Sequence, residues 1–125
     1  MNVVDSSGWI EYFVDGKNAD FFEPVILAAG QLLVPVICMY EVFKRLSQER
    51  GEDEALRAIG FMSAGKEVNL DRDIAIFAAQ ISLEHKLAMA DSILYATAQA
   101  RHAMLWTQDE HFKGLPGVEY VEKKA

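Results

Sequence analysis

At 125 residues with a formal net charge of −7, the chain has the size of one common domain and the wrong sign for an unspecific polyanion binder. Its 51% hydrophobic content supplies a core, yet no apolar run approaches the roughly 18 residues a membrane-spanning helix needs. The one cysteine, Cys38, excludes an internal disulfide and a Cys-based zinc cluster.

Element order follows from periodicity and punctuation. "NVV" is a short β-branched strand, and "DSSGWIEYF" turns helical, with Trp9, Tyr12 and Phe13 at spacings of three and four. Asn18 to Ala29 is expected as a second helix, broken or begun at Pro24 and stopped by Gly30. "QLLVP" is a second strand, with Pro35 leading into a helix from Val36 to about Glu49 that Gly51 ends. "EDEALRAIGFMSAG" is helical, its first turn rich in acids as the macrodipole favours. "KEVNL" is a third strand, and Asp71 caps a helix that closes near Lys86. A buried helix led by Asp91 runs to about His102, followed by "AMLWT" and "VEYV" as the last strands and a frayed tail from about Glu122.

Strands separated by helices, with no hairpin signal, predict an α/β fold with a central, mostly parallel sheet of roughly five strands over residues 1–125 as a single domain. Without a signal segment or spanning helix, and with a lone thiol in an apolar stretch, the expected setting is the reducing cytoplasm. Cys38 itself reads as a small buried hydrophobe.

Ligands of open parallel sheets sit beyond the carboxyl ends of the strands, so the residues there carry the functional reading. Asp5 follows "NVV", Asp109 follows "AMLWT" after Gln108, Asp91 opens an apolar helix, and Glu41 lies among Ile37, Cys38, Met39, Val42 and Phe43. Taken singly, each has an ordinary explanation. Asp5 and Asp91 read as N-caps, Asp109 as a turn residue, and Glu41 as an i,i+4 ion-pair partner of Arg45. Together, four acids distant in the chain fall at one end of one sheet. Clustered carboxylates repel one another, and hard divalent cations such as Mg²⁺ or Mn²⁺ relieve that repulsion. His85, His102 and His111 show no metal-ligand spacing and read as surface or helix-end residues, and Asp73 as a first-turn partner of the dipole.

The segments "VVDSSGWIEYF", "VPVICMYEVFKRL" and "MADSILYATAQARHAMLWTQDEHF" together resemble a PIN domain across essentially the whole chain, in particular the small ribonuclease toxins of VapBC-type toxin–antitoxin pairs. The resemblance implies a three-layer α/β/α sandwich and a metal-dependent endoribonuclease using one or two Mg²⁺ or Mn²⁺ ions. It implies a catalytic quartet of Asp5, Glu41, Asp91 and Asp109. Asp5 and Asp91 come first as metal ligands and Asp109 next, while Glu41 orients or ligates through a water. Ser6 and Thr107 match small polar positions at the substrate, and Lys44 and Arg45, with Arg101, are the candidates for phosphate contacts. Gln108 departs from the family, where a basic residue often stands. The implied partners are an RNA substrate, an antitoxin whose C-terminal segment covers the acidic site, and a second copy of the chain in a homodimer.

A phosphoacceptor receiver domain would need an acceptor Asp after a middle strand, and a haloacid-dehalogenase-like phosphatase would need Asp where Ser7 stands. The remaining alternatives are a PIN-fold binding or regulatory module and a stand-alone RNA-processing nuclease. Phe21, Phe22, Phe61 and Met62 are expected in the core, with a partner groove as the alternative.

Overall fold

The computed structural model describes residues 1–124; the last residue of the expected frayed tail lies outside them. The elements run β1 (Asn2–Val4), α1 (Ser6–Phe13), α2 (Ala19–Leu27), β2 (Leu32–Pro35), α3 (Val36–Arg50), α4 (Glu52–Met62), β3 (Lys66–Val68), α5 (Arg72–His85), α6 (Met89–Ala100), β4 (Met104–Thr107) and β5 (Val118–Tyr120). The five strands form one sheet in the order β3-β2-β1-β4-β5, every pairing parallel, flanked by the six helices in a three-layer α/β/α arrangement. The expected sheet is therefore parallel throughout.

Burial explains the arrangement. All four residues of β2 are buried, as a parallel strand covered on both faces requires. Val3, Val4, Val34 and Leu105 at the sheet centre are fully enclosed and meet Trp9, Phe22, Met62 and Phe112 from the helical layers. Each such large side chain contributes on the order of 1.5–3 kcal/mol through removal from water. The pairing of Val4 with Trp106 sets the carboxyl ends of β1 and β4 side by side, and the Asp5 N–H donates to the Trp106 carbonyl at 3.2 Å. Residues just beyond these two strands are thereby brought into contact although about a hundred positions separate them.

Several local expectations are corrected. Helix α2 runs through Pro24 without breaking. The donor that proline lacks would have served the carbonyl of Asp20, which is exposed and open to water. That helix ends at Leu27, and Gly30 sits in a 3₁₀ turn before β2. Gly51, at φ +92°, both closes α3 and opens α4, a conformation side-chain-bearing residues rarely adopt. Asp71 caps α5 as expected, accepting from Ile74 N–H at 2.9 Å.

Helix α6 starts at Met89 with Ala88 as its N-cap, so Asp91 lies within the first turn and is not the cap. The same helix ends at Ala100, and His102 stands beyond it with a positive φ of 53°. The chain is hydrogen-bonded as far as Glu122, where the expected tail begins: Val121 N–H donates to the Thr107 carbonyl, and the Glu122 carbonyl accepts from Asn18 Nδ2 at 3.0 Å.

Phe22 and Met62 are fully buried core residues, and Phe21 is half-buried against Phe22 and Trp106. Phe61 is 43% exposed, at the edge of an aromatic cluster with Trp9, Tyr12 and Phe13. The core expectation for Phe61 therefore fails: its ring lies at the surface edge of that cluster. No helix among the described residues is long and apolar enough to cross a membrane.

Candidate active site

The site grows from the β1–α1 junction. Asp5 ends the strand in an extended conformation and caps α1, its Oδ1 accepting from Gly8 N–H at 2.9 Å. Gly8 permits that approach: a Cβ there would come within 2.6 Å of Phe22 and 2.7 Å of Val4. The Ser7 hydroxyl lies 2.8 and 2.9 Å from the two carboxylate oxygens, and the Thr107 hydroxyl donates to Oδ2 at 2.7 Å. Asp5 is only 3% exposed. Burial pushes its carboxyl up to about 7 and Asp109 adds to the rise, against the hydrogen bonds from Thr107, Gly8 and Ser7 that favour the ionised form.

Thr107, at the end of β4, is fully buried and doubly engaged. Its oxygen also accepts from Asp109 N–H at 2.9 Å, so it couples Asp5 to the turn bearing Asp109. This is a positioning contact in place of the substrate contact expected for Thr107, since nothing outside the protein reaches the hydroxyl. Gln108 is likewise buried. Its Oε1 accepts from Asn18 Nδ2 at 2.9 Å, which turns the family-departing residue into a bracket between the α2 entry and the end of β4.

Beyond β4, Asp109 caps a 3₁₀ turn over Glu110–Phe112 and accepts from His111 N–H at 2.9 Å. Asp91 approaches from the first turn of α6, where the helix N-terminus favours an anion. Glu41, on α3, is half-buried with a hydrogen bond from Ser6. Burial raises the Glu41 carboxyl, and Asp91 and Asp109 raise it further against that bond. Burial and then Asp109 raise Asp91, which His111 partly offsets. The four acids thus act on one another across four separate elements.

Three of them, Glu41, Asp91 and Asp109, border a cleft of about 580 Å³ whose lining also includes Ser6 and His111. Asp5 is buried and not part of that lining; it joins the cleft wall through its hydrogen bonds with Ser7 and Thr107. Arg45 lines the same cleft, but its Nε pairs with Glu49 at 2.7 Å, so the expected Glu41–Arg45 pair does not form. Lys44 lies beside it over the Tyr40 ring, 5.8 Å from the centroid. Cys38 is fully buried against the Val4 carbonyl; burial, with Asp5 and Glu41 nearby, pushes its thiol well up, as an inert core cysteine requires.

Sequence reasoning missed His111. Its Nδ1 stands 3.2 Å from Asp109 Oδ1 and 3.7 Å from Asp91 Oδ2, and one donor atom from each of the three residues lies within 4.8 Å of the others. Its only sequence signal is its place two residues after Asp109, and the second partner comes from another helix. His85 packs edge-on against Tyr95 instead.

Donors held about 2.1 Å from one ion lie roughly 3–4 Å apart, so this oxygen-rich set fits a divalent cation. Burial and mutual repulsion oppose ionisation of Asp5, Glu41 and Asp91, which is the condition a cation relieves.

Residues 3–118 match the PIN domain family. The chain belongs to that family. No curated protein matches its sequence. Among solved structures, this PIN domain is similar to a toxin–antitoxin complex from Klebsiella pneumoniae, with 26% identity, a TM-score of 0.80, and 95% of this chain and 96% of that chain covered. It shares its fold with VapC20 of Mycobacterium tuberculosis, a toxin that cleaves the sarcin–ricin loop, at 13% identity, a TM-score of 0.81 and coverage of 95% and 98%. DNA-bound VapBC from Salmonella typhimurium also shares it, at 17% identity, a TM-score of 0.73 and coverage of 98% of both chains.

Proposed function

We propose that this PIN domain is a divalent-metal-dependent endoribonuclease and the toxin of a VapBC-type toxin–antitoxin pair. The observation that carries the reading is the convergence of Glu41, Asp91 and Asp109 on one cleft at the carboxyl end of a parallel sheet, with Asp5 buried next to it and coupled to Asp109. Asp91 and Asp109 would hold one or two Mg²⁺ or Mn²⁺ ions, with Asp5 supporting them from the buried side. A cation bound there supplies positive charge against the scissile phosphate and acidity to an attacking water.

The chain's own groups do the rest. Ser7, Gly8 and Thr107 hold the Asp5 carboxylate in a fixed orientation, so little reorganisation is needed when charge develops. Glu41, kept above the usual carboxylate range and oriented by Ser6, accepts a proton at its carboxylate from the water it positions. Ser6, Lys44 and Arg45 border a shallow extension of about 260 Å³ beside Glu41, where Lys44 and Arg45 contact backbone phosphates while the Ser6 hydroxyl stays on Glu41. A chain of net charge −7 gains little from unspecific attraction to RNA, so the substrate is a single-stranded loop recognised by shape and stacking. The similarity to the Klebsiella toxin–antitoxin complex supports an antitoxin partner, and a segment of that partner over the cleft and a homodimeric toxin complete the reading.

The test is cleavage of structured RNA by the purified chain with Mn²⁺ or Mg²⁺. Asp91→Asn and Asp109→Asn each lower the rate by about a hundredfold to a thousandfold while circular dichroism stays unchanged. Folded protein that cuts no RNA with either ion refutes the nuclease reading.

A further inference from the structure

We infer that His111 is an imidazole ligand of the divalent cation held by Asp91 and Asp109, and that it biases this site away from Mg²⁺ towards Mn²⁺, Co²⁺ or Ni²⁺. The inference rests on the cleft being a divalent-cation site and adds to it a residue outside the acidic quartet.

Three observations support it. The first is distance: His111 Nδ1 lies 3.2 Å from Asp109 Oδ1 and 3.7 Å from Asp91 Oδ2, spacings that ligands of one ion adopt. The second is the anchoring of the turn that carries the ring. His111 N–H is bound to the Asp109 side chain, and Phe112 N–H to the Asp109 carbonyl. Phe112 is fully buried against Tyr95 of α6, ring centroids 6.3 Å apart, so the His111 turn is pinned to the helix that bears Asp91. The third is access. The imidazole is mostly exposed and borders the cleft, so an ion reaches it without displacing core side chains.

Chemistry then sets the preference. Carboxylates suit Mg²⁺ and Mn²⁺ alike, whereas imidazole adds affinity for the later transition ions and little for Mg²⁺, which dehydrates reluctantly and takes oxygen donors. Replacing one oxygen donor by nitrogen therefore changes selectivity more than it changes the capacity to bind.

The experiment uses tag-free, chelator-stripped full chain titrated calorimetrically with MgCl₂, MnCl₂ and NiCl₂, and electron spin-echo modulation of the Mn²⁺ complex to detect nitrogen bound to the ion. Wild type is expected to show nitrogen modulation and to bind Ni²⁺ more tightly than Mg²⁺. His111→Ala loses the modulation and about tenfold or more of its Ni²⁺ affinity, with Mg²⁺ affinity nearly unchanged. The variant should fold, since the side chain is exposed and the backbone bond to Asp109 remains. Mn²⁺ bound without nitrogen modulation, or equal affinities in wild type and His111→Ala, overturns the inference and leaves the cation site standing; His111 then only donates a hydrogen bond to Asp109. A folded wild type that binds none of the three ions removes both.

Discussion

Helix α1 has two ends with opposite physical characters. Its N-terminus carries Ser6 and Ser7 to the acidic cleft, where Asp5, Glu41 and Asp91 are all held above their ordinary pKa values. Its far side carries Trp9, Tyr12 and Phe13 into an aromatic cluster closed by Phe61, with ring centroids 5.7–6.5 Å apart. The aromatic end lowers the free energy of the fold by packing alone. The acidic end raises it, and under the proposed function a divalent cation would offset the repulsion. One eight-residue helix therefore joins a stabilising region to a destabilised one, and the proposed function rests on the second.

Breaking the aromatic end is expected to have the largest effect. Trp9→Ala should cost about 3–5 kcal/mol in urea unfolding, because a fully enclosed ring leaves a cavity between α1, α4 and the sheet. Trp9→Phe should cost clearly less, since it keeps much of the packing and removes an indole N–H that finds no hydrogen-bond partner among the described residues. Equal losses in the two variants would mean that the ring's packing is not what stabilises this end.

At the acidic end the expectation is a pH dependence of the opposite sense from that of an ordinary salt-bridged carboxylate. Folding raises the Asp5 pKa from 3.8 to about 7, so over that window the folded state holds a proton the unfolded state has released. Stability without metal is therefore greatest at low pH as far as this group is concerned, falls as pH rises through about 7, and loses at most about 4 kcal/mol in all. Glu41 and Asp91 act in the same direction. Urea unfolding at pH 5 and pH 8 should show the fall in wild type and a reduced one in Asp5→Asn, with added Mn²⁺ restoring stability at pH 8. A wild-type stability that rises from pH 5 to pH 8 contradicts this account of the site.

The smallest effect belongs to a surface pair on α3. Arg45 and Glu49 are both exposed, so Glu49→Gln should change stability by less than about 0.5 kcal/mol. Its interest is functional. Freed from Glu49, Arg45 can swing towards Glu41, and tighter RNA binding in this variant at low salt would mark Arg45 as a phosphate contact.

Much of the site was legible because its acids stand at places with local signatures. Asp5 follows a strand and precedes a helix, Asp109 follows a strand and opens a turn, and both act as caps in the structure. Glu41 was conspicuous as a carboxylate among apolar neighbours. Other features depend on choices that local pattern leaves open. Arg45 has acids four residues away on both sides, Glu41 and Glu49, and it pairs with the second, while Glu41 is half-buried with Ser6. Asp91 looked like a cap because it is the sole charge near the start of an apolar run, but the helix begins at Met89 and the acid falls in its first turn.

The alternation of short β-branched runs with amphipathic helices, together with the lack of hairpin turns, by itself determined a parallel α/β fold, because helical crossovers are what connect parallel strands. The positions of the acids after strands and at helix starts likewise indicated that they gather at one edge of that sheet. Only the tertiary structure decided which acids face solvent. The register of β1 on β4 buries Asp5 next to the cleft and ties it to Thr107, and the packing of Phe112 on Tyr95 carries His111 to Asp91. Those contacts join residues from separate elements, and burial depth and donor distance are properties of the packed whole.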